Sequence, residues 1–170
     1  MTQPIPPQPT DGNPFAQQQA QPADGNPFGQ LPPAPPARGN VALGVVTAVV
    51  VALVTAGIYG AIVGATEYEI GYAAVGVGFL VGFGAGKVGG ANPVLPVVSA
   101  LLSLGAVYLG QLIGISMIAG DLAGVSATTM FTEHFDILTE AWKESADAMS
   151  FLFFAIGAVA AFSGAKKAAA

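Results

Sequence analysis

The sequence has no cysteine, a single histidine and few charged residues, which make up only 9% of its 170 positions. Without cysteine the chain has no disulfide, no thiolate nucleophile and no zinc-finger spacing, and one histidine cannot build a histidine-rich metal site. Soluble domains carry roughly 25% charged residues, so this chain lacks the charge that covers a water-soluble surface. We therefore expect no metal, no cofactor and no ordinary soluble globular fold.

Basic residues are scarcer than acidic ones, with 5 Lys+Arg against 10 Asp+Glu and a net charge of −5. Nucleic-acid-binding proteins carry a basic stripe or patch, so this balance argues against a nucleic-acid partner. Hydrophobic residues, in contrast, make up 53% of the chain. The length indicates one domain, and the composition predicts an all-α, polytopic membrane bundle whose first partner is the lipid bilayer.

The N-terminal segment, residues 1–40, differs in composition from the rest of the chain. It holds 11 of the 13 prolines, seven glutamines and only three charged residues. Such a composition cannot bury enough apolar surface to offset its ordering entropy, so the segment is predicted to be disordered and partly polyproline-like. It has neither the basic start nor the apolar core of a signal peptide.

This segment contains an exact repeat, in which the sequence Asp-Gly-Asn-Pro-Phe at residues 11–15 recurs at residues 24–28. Asn-Pro favours a turn, and each turn would present one phenylalanine to a partner's pocket. The alternative is a spacer whose repeat arose by duplication. The predicted partner-binding residues are Asn13, Pro14, Phe15, Asn26, Pro27 and Phe28.

Four apolar stretches follow, at about residues 41–63, 70–85, 96–119 and 148–163. A helix needs roughly 20 apolar residues to cross a bilayer, so the first and third are long enough. The second and the fourth are equally short, and the fourth is also open to interpretation as a re-entrant or surface segment. The predicted organisation is a tail (1–40), a transmembrane domain (41–165) and a short C-terminal tail (166–170).

The basic residues orient these spans. Arg38, Lys87, Lys166 and Lys167 fall on one side of the membrane and Lys143 on the other. The positive-inside rule places the first group in the cytoplasm, so both termini are predicted to be cytoplasmic in a multi-pass plasma-membrane protein. The loop at 67–69 and the segment 121–147 then face outward.

Glycines recur every fourth residue in three of the spans. Because glycine has no side chain, such spacing lets helix backbones approach closely. The pattern favours tight packing within one chain, and a homo-oligomer is a further expectation. The predicted helix-packing residues are Gly60, Gly64, Gly78, Gly82, Gly86, Gly110 and Gly114.

Residues 129–147 are predicted to form one amphipathic helix rather than a loop. Phe131, Phe135, Leu138 and Trp142 recur at helical spacing, and Met149 extends the series, while acidic residues occupy the other sides. The acidic face disfavours anionic headgroups, so we expect the apolar face to pack on the spans, with Trp142 as an interfacial anchor. Binding to a partner's groove is the alternative.

Motifs for catalysis and ligand binding are weak. Residues 84–89 match the letters of a dinucleotide fingerprint but lack the βαβ context. Glu133, His134 and Asp136 are potential metal ligands, yet His134 would point about 100° away from Glu133 on a helix. Tyr108 and Gln111 are expected to hydrogen-bond between helices. No catalytic constellation is visible, and the chain is not expected to be an enzyme.

The pattern Tyr-Glu-Ile-Gly-Tyr-x-Ala-x-Gly-x-Gly-Phe-Leu-Val-Gly covers residues 68–82. It resembles a family of small, uncharacterised bacterial membrane proteins with four helices and variable cytoplasmic N-terminal extensions. The resemblance implies a bacterial plasma membrane and carries over no activity or site residue. A looser likeness to the secretory carrier membrane proteins rests on the Asn-Pro-Phe repeats, but the cysteine- and arginine-containing signature expected between their helices is missing.

Together these features predict an integral membrane anchor or scaffold whose cytoplasmic tail recruits a protein partner. The alternative is a small oligomeric channel or transporter subunit built from glycine-rich helices.

Overall fold

The computed structural model describes residues 39–68 and 70–170, and within these ranges it contains six helices and no strand. The all-α prediction is therefore confirmed. The disorder predicted for the N-terminal segment concerns residues that, up to residue 38, lie outside the described ranges. The helices are α1 (Val41–Thr66), α2 (Gly71–Gly89), α3 (Val94–Ala123), α4 (Ala127–Glu133), α5 (Phe135–Ser145) and α6 (Ala148–Ala169).

Four of these helices, α1, α2, α3 and α6, are long and apolar enough to cross a membrane. At 1.5 Å per residue the 19 residues of α2 extend about 28 Å and the 30 residues of α3 about 45 Å, against a hydrocarbon core of about 30 Å. The fourth span, α6, has 22 residues rather than the 16 predicted, because the helix continues through Lys166 and Lys167. Its length therefore suits a complete crossing.

The helix ends follow from local chemistry. Asn40 precedes α1, and its side chain accepts a hydrogen bond from the Leu43 N–H at 3.1 Å. Ser126 does the same for α4, accepting from the Thr129 N–H at 3.0 Å. Gly124 ends α3 in the left-handed region at φ 70°, where glycine has no Cβ to clash. These caps satisfy backbone groups that have no partner inside the helix.

The long helices pack as two close pairs, α1 with α3 and α2 with α6, and the pairs are joined by contacts of α1 with α2, α3 with α6 and α2 with α3. Among the helices that the structure describes, α1 and α6 make no contact with each other. The core is built largely from small side chains: Ala48, Ala56 and Ala85 are completely buried. Small residues at the contacts bring the helix axes close together, which suits a lipid environment where packing replaces the hydrophobic effect.

A second cluster lies where α4 and α5 cover the C-terminal half of α3. Leu112, Met130 and Leu138 are buried together there, and Phe131 and Trp142 pack against them. Met130 and Leu138 would stand about 12 Å apart along one straight helix. A break between them lets both reach Leu112.

Glu67 ends α1 in the left-handed conformation, at φ 57°, and is the one described non-glycine residue with positive φ. This conformation places Cβ close to a carbonyl oxygen and costs a non-glycine residue about 1 kcal/mol. We expect Glu67→Gly to raise the free energy of unfolding by about 1 kcal/mol, measured by thermal unfolding in detergent. Glu67→Ala keeps the Cβ and should bring no gain. A glycine variant that melts below the wild type would contradict this expectation.

Candidate functional site

The predicted recruiting residues, Asn13, Pro14, Phe15, Asn26, Pro27 and Phe28, lie outside the described residues. The remaining predicted residues lie in two regions, the helix contacts and the end of the bundle covered by α4 and α5.

Three of the predicted packing glycines lie between α2 and α6. A Cβ built on Gly78 would overlap the carbonyl oxygen of Gly157, and one on Gly82 would overlap that of Ala161. Gly86 faces the Ala165 carbonyl in the same way. The glycine spacing in α2 therefore matches a backbone surface of α6, and no side chain separates the two helices at these points.

The other four packing glycines lie between α1 and α3. A Cβ on Gly60 would come within 2.6 Å of Ile113, and one on Gly64 within 2.6 Å of the Met117 sulfur. On α3, Gly110 contacts Tyr59 and Gly114 contacts Val63 in the same way, at 2.7 Å and 2.5 Å. All seven predicted glycines thus lie at contacts within this one chain.

The predicted residues on α2 meet partners on α6 that sequence reasoning missed. Gly157, Ala161 and Ala165 form a stripe at four-residue spacing, and all three are buried. The four-residue spacing of these small residues is visible in the sequence. However, α6 carries small residues on every side, so the spacing does not identify a single contact face. Gly44 and Gly89 also meet, at the junction of α1 and α2.

Trp142 is the centre of the second region. Its indole Nε1–H donates to the Gln111 Oε1 at 2.7 Å, and its ring meets Tyr108 edge-on at a centroid distance of 4.9 Å. The rings of Phe151 and Phe154 on α6 lie within 6.4 Å and 6.3 Å. Trp142 thus ties α5 to both α3 and α6, and Gln111 hydrogen-bonds between helices as the sequence predicted.

The segment around Trp142 consists of two helices, not the single helix predicted over residues 129–147. The helices α4 and α5 meet at His134, whose φ of −126° and ψ of 39° interrupt the helix. Leu138 is completely buried, Phe131 is half-buried and Phe135 is 45% exposed. Met149 lies in the first turn of α6 instead of extending the apolar face, and it is 56% exposed.

Charges divide between the two ends of the bundle. Lys87, Lys166 and Lys167 lie at the end where α2 and α6 finish and α1 and α3 begin, which we call the cationic end. All seven described acidic residues lie at the opposite end, with Lys143 and His134. The seven are Glu67, Asp121, Glu133, Asp136, Glu140, Glu144 and Asp147.

Asp147 caps the start of α6. Its carboxylate accepts from the Ser150 backbone N–H at 2.7 Å and from the Ser150 hydroxyl at 3.0 Å. These two hydrogen bonds favour the ionised form and hold the pKa of Asp147 below its ordinary value. The charge also complements the positive end of the helix dipole, so the cap helps to define where α6 begins.

Metal-ligating side chains are dispersed over the described part of the chain, where no three His, Asp or Glu residues lie close enough to hold a metal ion together. Glu133, His134 and Asp136 share one end of the bundle but span the break between α4 and α5.

No family model, curated protein or solved structure matches the chain at a significant level. The resemblance of residues 68–82 to small bacterial membrane proteins therefore stays a prediction. The described part of the chain forms a helical bundle in which four helices are suited to crossing a membrane. These helices pack through backbone contacts, and the bundle has a cationic and an acidic end.

Proposed function

We propose that this protein is an integral membrane anchor whose N-terminal segment recruits a cytoplasmic protein through its two Asp-Gly-Asn-Pro-Phe repeats. The observation that carries the proposal is the exact repetition of these five residues in a proline-rich segment that leads directly into the first span. Recruitment uses Phe15 and Phe28 as apolar anchors, each presented by an Asn-Pro turn.

The packing of the bundle supports an anchoring role. Backbone contacts hold α2 directly against α6, and α1 packs closely on α3. Within residues 39–68 and 70–170 the buried polar side chains are all uncharged. Intramembrane charges are the usual mark of an ion or proton path, whereas a closely packed apolar bundle suits stable retention in the bilayer.

The position of the first span supports a cytoplasmic tail. Gly44, in the first turn of α1, lies against Gly89, at the end of α2. The first span therefore begins at the cationic end, which also holds Lys87, Lys166 and Lys167. The positive-inside rule assigns such an end to the cytoplasm. Together with the family resemblance, this favours a bacterial plasma membrane with both termini inside.

Two copies of one motif suit a partner with two pockets or a partner that is itself dimeric. Binding of the first motif raises the effective concentration of the second, so avidity exceeds the affinity of a single motif when both sites are reached at once. The thirteen-residue offset between the repeats allows a root-mean-square separation of about 20 Å in a flexible chain.

The test is affinity capture of the full-length protein from gently solubilised native membranes, followed by mass spectrometry. Wild type is compared with Phe15→Ala/Phe28→Ala and with the matched control Ile5→Ala/Leu31→Ala, which alters apolar residues outside the repeats. We expect a cytoplasmic protein that wild type and control capture and the repeat variant loses. A peptide spanning residues 9–30 should then bind that purified protein, and the doubly substituted peptide should bind at least tenfold more weakly, a difference of about 1.4 kcal/mol.

Two results would contradict the proposal. Identical protein lists from all three forms would reduce the repeats to a spacer. In intact cells, external protease could remove a tag at residue 1 and leave a tag after Val125 intact. That result would show the opposite orientation in the membrane. Ion flux through liposomes containing the pure protein, above that of empty liposomes, would favour the channel alternative.

A further inference from the structure

The cationic end contains a cleft of about 350 Å³. One wall is the connection between α2 and α3 at residues 90–93, together with Pro96 in the first turn of α3. The other wall is the last turns of α6, with Ala165, Lys166 and Ala169. Its lining is mostly apolar, and Lys166 is the one charged side chain among the described residues that line it. The volume lies at the lower end of that of small-molecule sites, about 300–1,000 Å³.

Lys166 lines the cleft, and its side chain is exposed. Its ammonium lies 5.5 Å from the ring centroid of Phe162, one turn earlier in α6. Helical side chains lean toward the N-terminus of their helix, which for α6 means back toward the apolar part of the bundle. The cation–π contact stabilises this position. The ammonium thus lies near the C-terminal end of the apolar helix α6.

The surroundings favour an anion at this place. Lys87 and Lys167 lie at the same end, and the seven described acidic residues lie at the other end of the bundle. Beyond the cleft, α3 presents apolar side chains to its surroundings: Val97 is 51% exposed and Leu101 65%. An anionic headgroup is complementary in charge to Lys166, and an apolar tail is complementary to the exposed apolar side chains of α3.

We propose that this cleft binds the headgroup of an anionic phospholipid, with Lys166 contacting the phosphate and the acyl chains lying along the exposed side of α3. Basic pockets between transmembrane helices are suited to such headgroups. The phospholipid occupies the cleft whether or not the N-terminal segment recruits a partner, so the two proposals succeed or fail separately.

The first test uses the full-length protein in nanodiscs of phosphatidylcholine and titrates fluorescent phosphatidylglycerol, with zwitterionic lipid of the same chain length as reference. Lys166→Gln is compared with Lys167→Gln, which removes the same charge from the next position, outside the cleft lining. We expect Lys166→Gln to weaken binding about tenfold, the effect of losing one charge-assisted contact. Lys167→Gln should change binding by no more than about twofold, as expected of a screened surface charge.

A second variant, Ala169→Phe, fills the cleft without changing the charge. It should weaken phosphatidylglycerol binding while leaving the melting temperature of the lipid-free protein within about 2 °C of the wild type, as expected for a surface substitution. The proposal would be overturned by equal losses for the two lysine variants, by unchanged binding by Ala169→Phe, or by equal affinity for the zwitterionic lipid. Displacement of the lipid by millimolar inorganic phosphate would also overturn it, since the site would then recognise a free anion.

Discussion

Replacing Gly78 and Gly82 by leucine should separate α6 from α2. At each position even a Cβ would overlap a backbone carbonyl oxygen of α6, and a backbone atom cannot move aside as a flexible side chain can. Overpacking typically costs about 1–3 kcal/mol per site, so the pair should lose about 2–6 kcal/mol. Total stabilities are about 5–15 kcal/mol, so this loss is large enough to undo the contact.

The measurement is thermal unfolding in detergent with size-exclusion chromatography. The matched control is Gly76→Leu with Gly105→Leu, because a Cβ at either position meets no atom within 4 Å apart from its own helix backbone. These controls should melt close to the wild type, since leucine is also the better helix former. Equal melting temperatures and equal elution of the Gly78/Gly82 variant and the wild type would rule out this interface.

Trp142→Ala should release α5 from the spans. The substitution removes the contacts with Tyr108, Phe151 and Phe154 as well as the hydrogen bond to Gln111. Large-to-small substitution of a packed tryptophan costs about 3–5 kcal/mol, and the lower value fits a residue that is only partly buried. We expect protease cleavage between residues 126 and 146 to be much faster, while α1 and α2 remain protected.

Separate variants distinguish the ring from its hydrogen bond. Trp142→Phe keeps an aromatic ring but removes the donor to Gln111, and should cost about 1–2 kcal/mol. Combining it with Gln111→Leu should cost less than the sum of the two single changes, because both partners are then absent. Ile137→Ala, on the exposed side of α5, is the control and should leave cleavage unchanged. Strictly additive losses would show that the hydrogen bond does not couple α5 to α3.

Most of the architecture was accessible from local properties of the chain. The apolar runs predicted four spans, because the length of a run can be compared directly with the thickness of the bilayer. The helices extend beyond the predicted spans, since α2 and α6 continue through Lys87, Lys166 and Lys167. Basic residues at a helix C-terminus are compatible with the helix dipole, so a charge does not mark where a helix stops.

The candidate sites also combine features that the sequence predicts with features that only helix packing determines. Glycine spacing selected the contact faces of α1, α2 and α3, because four-residue spacing is a property of one helix. The helix that each face contacts depends on how each helix is rotated about its own axis and on which helices, distant in sequence, pack beside it. The stripe on α6 is recognisable only opposite Gly78, Gly82 and Gly86.

The sequence by itself determined the helical class, the number of spans, the glycine spacing and the separation of basic from acidic residues. Each of these depends on composition or on residues within a few turns of one another. The tertiary structure alone decided the break at His134, the bond between Gln111 and Trp142 and the cleft beside Lys166. These features join residues distant along the chain, 31 positions apart for Gln111 and Trp142, and exist only once the helices have packed.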